Sequence, residues 1–446
     1  MSTGLHARKK VHQDEESPDP IPSPPSSGGF SRFYKARLRL VPRFLRSELG
    51  CAVEAVVGFL AFGLLLGFFI AHHQHRKVIL QVMSNPLAHA GAALHGRSGF
   101  RHHFYSGHPR TVTVVMPSVV NPGGRQQRLD SIFETWGPGA RAIYVVHNIS
   151  EFPQGRHAII SEDSVPTDPY SYPQLLLLPS SISVDDGLPR LNYVIRAIHE
   201  KINPDFAFFV NDHTYVIPEH LCKYLEHRHS SDDMYEGHAM KNNEDVFNSG
   251  AAGYIMSRQT MSKLVRKWDD GDEHCVAKEG DKWLQGNPGI ATTKCLKDAL
   301  GIEPVDTRHD GKWHRFHAFP LTRVVTGNVD EWYKNKHQGM DKMMKTDESY
   351  NTLLNGVDCC AADTISFHYV EYRESMALFA TREAILENPH ISDHDVKAMM
   401  LAEWPRERQE IGGYSRGLPK ENDTEGWKSL IQVVRKISSR STQRDC

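Results

Sequence analysis

The sequence lacks an excess of charge. Its 446 residues carry 52 Lys and Arg against 54 Asp and Glu, a formal net charge of −2, so it has no electrostatic footprint for a nucleic-acid partner. Cysteine is scarce, seven in all. No two stand at zinc-ligand spacing, because Cys359 and Cys360 are adjacent and have no matching Cys or His pair nearby. No internal repeat is present, and the aromatics around Trp332 and Tyr333 lack the spacing of a lectin-like array. Long apolar runs are missing too, with one exception.

That exception is "AVEAVVGFLAFGLLLGFFIA", Ala52 to Ala71, which matches the roughly 20 apolar residues needed to cross a bilayer. Its one acid, Glu54, sits near the start, where it can reach the headgroups. The long stretch before the run argues against a cleaved signal peptide, and a buried core helix is the remaining alternative. Arg32, Lys35, Arg37, Arg39, Arg43 and Arg46 precede the run, whereas only Arg76 and Lys77 follow closely. The positive-inside rule then keeps the N-terminus cytosolic and puts the rest outside the cytosol.

The expected organisation is a tail disordered by its Pro, Ser and Gly content with a basic juxtamembrane cluster (1–50), a single transmembrane helix (51–71) and a stem (72–109). A main domain (110–385) follows, then a helical appendix with a polar, mostly solvated tail (386–446). Two sequons, at Asn148 and Asn422, fall on the extracytosolic side. Cys51 stands at the membrane edge, as a boundary residue or an acylation site. Cys222, Cys275, Cys295, Cys359, Cys360 and Cys446 are even in number, which allows disulfides of unspecified connectivity.

The main domain reads as strands alternating with helices. "RTVTVVMPSVV" is a β-branched strand ending at a turn, "RLDSIFETW" has apolar residues at helical spacing, and "ARAIYVVHN" is a second strand. "LNYVIRAIHEKI" places Leu191, Val194, Ile195, Ile198 and Ile202 on one helical face, leading into "PDFAFFVND", an apolar strand of the kind buried on both sides. This pattern predicts an α/β fold with a parallel sheet. Ligands of such sheets bind beyond the carboxyl ends of the strands, which directs attention to Asn211, Asp212 and His213. An Asx-type turn leading to a helix near Pro218 is the competing reading of the same residues.

Four blocks in order, "FFVNDHTYVIPEHL", "FNSGAAGYIMSRQTMSKLV", "CLKDALGIEPVDTRHDGKWHRFHAFP" and "DCCAADTISFHYV", resemble the core 1 β1,3-galactosyltransferase branch of the fringe-like glycosyltransferases. The resemblance covers roughly 111–379. It implies a GT-A, Rossmann-like lumenal domain on a type II anchor in the Golgi or ER membrane. The implied activity is inverting transfer of galactose from UDP-galactose to the 3-hydroxyl of O-linked N-acetylgalactosamine on a glycoprotein, usually with Mn²⁺. Partners implied are the UDP-sugar, the glycoprotein acceptor, the membrane, and a second copy or an active transferase.

The departures matter as much as the match. Where the family reads Asp-Asp-Asp-Thr-Tyr-Val, this chain has Asn211-Asp212-His213-Thr214-Tyr215-Val216, so both outer acids are replaced. A hard divalent cation is held by negative oxygen ligands, and the loss of two speaks against Mn²⁺. His317 matches the family's Phe-His-Pro-Phe histidine, which leaves Asp212, His213 and His317 as a residual metal set. Pro288 and Gly289 stand where the family has an acidic pair, so the base is unassigned, with Glu279 and Asp281 as substitutes. Ser249, Gly250, Gly253 and Tyr254 match the family's sugar-site segment, although a tight strand turn would use the same glycines. Arg308, Lys312 and Arg315 are candidates for a fixed positive charge on the diphosphate, with a basic surface loop as the alternative. A catalytically silent member that binds substrate or assists a partner transferase is the second functional reading.

Overall fold

A computed structural model of the chain describes residues 109–118, 124–149, 158–162, 164, 172–183, 186–242, 245–276, 286–345, 352–404, 410–411, 414–415 and 417–438. All of them lie within one compact unit, Phe104–Cys446. The expected tail, apolar span and stem, and the candidates Glu279 and Asp281, fall outside the described residues. Among the described residues no helix is long and apolar enough to cross a membrane.

The fold is mixed α/β around an eight-stranded sheet. Its strands are β1 (Thr111–Met116), β2 (Ala142–Val146), β3 (Ala158–Ile160), β4 (Gln174–Leu177), β5 (Phe206–Asn211), β7 (Tyr235–Gly237), β10 (Tyr254–Ser257) and β11 (Val305–Asp306). The order is β11-β7-β10-β5-β1-β2-β4-β3. Every neighbouring pair is parallel except the two made by β10, which runs against both β5 and β7. Smaller sheets join β8 (Ala239–Asn242) to β9 (Asp245–Asn248), and β6 (Tyr215–Val216) to β13 (Ser366–Phe367) and β12 (Phe316–His317).

The central strands are apolar on both sides because both sides are covered. In β5, Phe206, Phe208 and Val210 enter one hydrophobic cluster and Ala207 and Phe209 the other, as the two-residue period of a strand requires. Each fully buried side chain of this size contributes about 1.5–3 kcal/mol by leaving water. Helix α2 (Gly187–Ala197) continues through a wider turn at Ile198–Ile202 and covers the second cluster with the five residues its periodicity predicts, all of them buried. It is joined there by α4 (Arg258–Asp269). The first cluster is covered by α1 (Arg125–Glu134), through Leu129 and Ile132, and by helices from the C-terminal part of the chain.

Those C-terminal helices correct the expected appendix and tail. Helix α9 (Tyr372–Glu387) runs across the expected boundary at 385, and α10 (Asp393–Glu403) and α11 (Thr424–Ile437) put Val396, Met400, Trp427, Leu430, Val433, Val434 and Ile437 into the same core as the sheet. The physical reason lies in the spacing of Trp427, Leu430, Ile431, Val434 and Ile437, an apolar helical face that the charged residues between them obscure.

Disulfides join Cys275 to Cys295 and Cys359 to its neighbour Cys360, and Cys222 is disulfide-bonded as well.

Candidate functional site

Strand order fixes where the site lies. The chain leaves β1 for β2 and β4 on one side, then returns to place β5 on the other, so the crevice between β1 and β5 is a topological switch point. The two strands end flush, Met116 opposite Asn211, and the next residue's amide, that of Asp212, donates to the Met116 carbonyl at 3.0 Å. Helix α1 starts here after β1 and directs its N-terminal end toward the strand ends, as a βα unit does.

The Asn211–His213 turn is made by Asn211 itself. Its Oδ1 accepts from the His213 amide at 3.0 Å and from Thr214 Oγ1 at 3.2 Å, the Asx turn that the sequence allows. It does not cap α3 (Pro218–Leu225), whose N-terminal flank is Ile217. The Asn211 Nδ2 atom lies 2.8 Å from His368 Nε2.

Asp212 is buried and its side chain has no exposure. One carboxylate oxygen accepts from the Ser118 amide at 3.0 Å, and the other lies 3.3 Å from Arg128 Nη2 and 4.0 Å from Arg125 Nε. Both arginines come from the first turn of α1, three residues apart and so on one face. Arg128 also approaches Glu371, with Nη1 and Oε2 3.8 Å apart. His213 Nδ1 lies 3.2 Å from the other oxygen of Glu371, without the alignment of a hydrogen bond. Glu371 is anchored by a capping box at the start of α9.

The block "SFHYV" reaches this turn through the small sheet. β13 pairs antiparallel with β6, and the Val370 amide donates to the His213 carbonyl at 2.8 Å. The rings of His368 and Tyr369 stand 6.1 and 6.3 Å from that of His213.

His317 belongs to a different neighbourhood. It stacks on Phe367 at 4.8 Å and faces His314, which packs with His238 and His337 at ring separations of 4.6 to 6.1 Å. Burial pushes the His317 imidazole down to about 3, and burial with the Arg308 charge pushes His337 down to about 3. His238 and His314 are held well below the ordinary value, first by burial and then by the charged forms of their neighbours. Tyr333 donates to or accepts from His238 Nε2 at 2.7 Å. Burial therefore favours the neutral form of all four imidazoles. A cleft of about 340 Å³ opens beside them, lined by His314, His317, Phe319, Tyr333, Thr352 and Asn355 among others. It lies one ring away from the turn, since Phe319 packs on Tyr369 and Tyr369 on His213.

Asp212 and His213 are therefore neighbours and His317 is not gathered with them into a cation cage. Among the described residues no group of three or more His, Cys, Asp or Glu side chains is placed to hold a metal ion. The chemistry of the donor set agrees. Asp212 already shares its charge with two guanidinium groups, and Asn211 spends its carbonyl oxygen on the turn. The residues present do not fit Mn²⁺.

Ser249 to Tyr254 form a tight turn into β10, closed by the Gly253 amide donating to the Ser249 carbonyl at 3.0 Å. It touches the Asn211–Thr214 turn, with Thr214 Oγ1 3.4 Å from the Ala251 carbonyl oxygen. Gly250 is exposed, whereas Tyr254 is buried between Phe209 and Tyr235. A Cβ at Gly253 would meet the Phe208 ring at 2.6 Å, so this glycine is needed for packing against β5.

Arg308 is buried against Asp306 at 3.3 Å and donates to the Thr352 carbonyl. Arg315 pairs with Asp363 at 2.8 Å and donates to the Thr307 carbonyl at 2.6 Å. Lys312 is exposed. Arg308 and Arg315 thus tie together the segments around β11 and β12. Pro288 and Gly289 begin helix α5 (Pro288–Lys294), with proline in the first turn, where its missing N–H costs nothing. Asn148 and Asn422 are exposed.

The chain is distantly related to a galactosyltransferase. It is 25% identical over 209 residues, 44% of its length, to glycoprotein-N-acetylgalactosamine 3-beta-galactosyltransferase 1 from Xenopus laevis. The match covers 52% of that protein, so the chain spans about half the length of the relative it matches. No family model matches the chain.

Arg125, Arg128, Glu371, His368 and Tyr369 are the residues that the sequence reading passes over. For the arginines the signal was present, two basic residues three apart at the start of the first helix after the first strand. Glu371 directly follows the "SFHYV" block, but only the pairing of β13 with β6 brings it to the turn.

Proposed function

We propose that the chain is an inverting glycosyltransferase with a GT-A-like fold that moves a hexose, galactose by its relationship, from a UDP-sugar to the 3-hydroxyl of O-linked N-acetylgalactosamine on glycoproteins. The observation that carries this reading is the coincidence of the switch-point crevice of β1 and β5 with a chain distantly related to a galactosyltransferase. The nucleotide diphosphate would lie at the strand ends beside Arg125, Arg128 and His213. The acceptor sugar would approach from the cleft beside Phe319 and Tyr333, whose volume of about 340 Å³ is at the small end of ligand sites and suits one sugar ring.

In the reaction the acceptor oxygen bonds to the anomeric carbon, the bond from that carbon to the diphosphate breaks, and the acceptor proton passes to a carboxylate. Glu279 and Asp281 remain the proposed bases. Such a base is worth about 10²- to 10⁴-fold in rate. We place the chain in the Golgi or ER membrane, anchored once by 52–71 with its main domain in the lumen. The exposed Asn148 and Asn422 suit that side, and loss of a mass shift on endoglycosidase treatment of Asn148→Gln and Asn422→Gln chains would check it.

The test is to incubate the full-length protein with UDP-galactose and a peptide carrying N-acetylgalactosamine on Ser or Thr, then look for the disaccharide by mass spectrometry. A product added at the 3-hydroxyl supports the reading. Absence of transfer together with absence of UDP binding would remove it and leave the silent, partner-assisting protein.

A further inference from the structure

The charges around Asp212 are closed upon themselves. Two carboxylates, Asp212 and Glu371, face two guanidinium groups, Arg125 and Arg128, and the formal charges balance without any ion. The remaining lone pairs of Asp212 are met by the Ser118 amide at 3.0 Å. His213, the residue one place on, is turned toward Glu371 rather than toward a shared centre with Asp212. Among the described residues, a divalent cation entering here would find no uncompensated carboxylate and would meet two guanidinium groups within about 4 Å of the oxygen it needs.

Resting on the glycosyltransferase reading, we propose that this edge of the sheet works without a divalent metal. Arg125, the partly exposed guanidinium of the pair, offers the diphosphate N–H donors where a metal-bound site would use its cation, and the buried Arg128 fixes Asp212 behind it. Asp212 is then a positioning residue for the two guanidinium groups, not a metal ligand. Its role is to keep them at the carboxyl ends of β1 and β5, where a diphosphate would lie. Guanidinium groups make charge-assisted, two-pronged hydrogen bonds to phosphate oxygens, and a fixed cationic group stabilises a departing phosphate as a Lewis acid does.

The experiment uses the full-length protein stripped with EDTA and dialysed. Mn²⁺ is titrated in and followed by the electron paramagnetic resonance of the free ion, and binding of UDP is measured by calorimetry with Mn²⁺ and with EDTA. The expected results are no protein-dependent loss of the free Mn²⁺ signal and UDP affinities within about twofold of each other. Arg125→Gln, at the partly exposed member of the pair, should weaken UDP binding about tenfold equally in both conditions, with its thermal melt checked to show that it folds. Stoichiometric Mn²⁺ binding by the wild-type chain, or UDP affinity improved tenfold or more by Mn²⁺, would overturn the inference. Binding of UDP in neither condition would overturn both the diphosphate role of the arginines and the nucleotide-sugar reading. Tight but Mn²⁺-dependent binding would overturn the inference alone.

Discussion

Arg128 and Asp212, 84 residues apart in the chain, meet at 3.3 Å with side chains that are 1% and 0% exposed. The pair ties the first helix to the carboxyl end of β5. Removing Arg128 leaves Asp212 buried with only the Ser118 amide and the more distant Arg125 as partners, which costs up to about 3–5 kcal/mol. Arg128→Ala should lower unfolding free energy by that amount in a urea titration. The Arg128→Met, Asp212→Asn double variant should be less destabilised than the sum of the two singles, and strict additivity would mean that the two charges do not interact.

Restoring acids to the turn should change its ion preference. Asn211→Asp together with His213→Asp adds two carboxylates beyond those the arginines balance, and the second also faces Glu371. The double variant should melt at a lower temperature than wild type in EDTA, gain at least tenfold in Mn²⁺ affinity, and regain stability when Mn²⁺ is added. A variant that binds Mn²⁺ no better than wild type would show that geometry, rather than charge, keeps the ion out.

Acid should unfold this protein through its buried imidazoles. His317 and His337 stay neutral in the folded state down to about 3 because they are buried, whereas in the unfolded chain a histidine takes up a proton near pH 6.5. Their contribution is therefore complete above pH 6.5 and is lost as the pH falls below it, by about 2 kcal/mol per histidine at pH 5. Asp306 acts the other way, since burial raises it to about 6, but its window is narrower and it is one group against two. The melting temperature should fall steadily between pH 7 and pH 5, and His337→Asn should flatten that fall. A melting temperature independent of pH over this interval would contradict the burial of both rings.

Gly253 separates a packing role from a ligand role. Its φ is +91°, and a Cβ would lie 2.6 and 2.7 Å from two Phe208 ring atoms and 2.9 Å from Val210. Gly253→Ala should destabilise by about 1–3 kcal/mol from overpacking alone, with further strain from the left-handed backbone. Loss of UDP or acceptor binding at unchanged stability would instead return this glycine to the sugar site.

The parallel core was legible in the sequence because its strands are buried on both faces and read as continuous apolar runs. "PDFAFFVND" is the clearest case, and the turn that follows it was found by the general rule for such sheets. The meeting of Asp212 with Arg128 was not legible, because it depends on strand order and not on local spacing. His317 illustrates the converse. The motif match placed it with Asp212 and His213, yet stacking on Phe367 draws it into a group of neutral imidazoles. For Arg308 and Arg315 the sequence displays the charge but hides the partners, Asp306 and Asp363. For α11 the charged residues of its outer face masked an apolar stripe that reaches the core.

The position of α11 sets a schedule for the nascent chain. A ribosome makes this helix after every other described element, yet Trp427, Leu430, Val433, Val434 and Ile437 complete the cluster to which β1, β5 and α1 also contribute. Its direct neighbours include α9 and α10, which are made before it and lack their apolar partner until it arrives. Through that interval their exposed apolar faces need shielding from one another, which makes this chain a natural client for folding helpers during its synthesis.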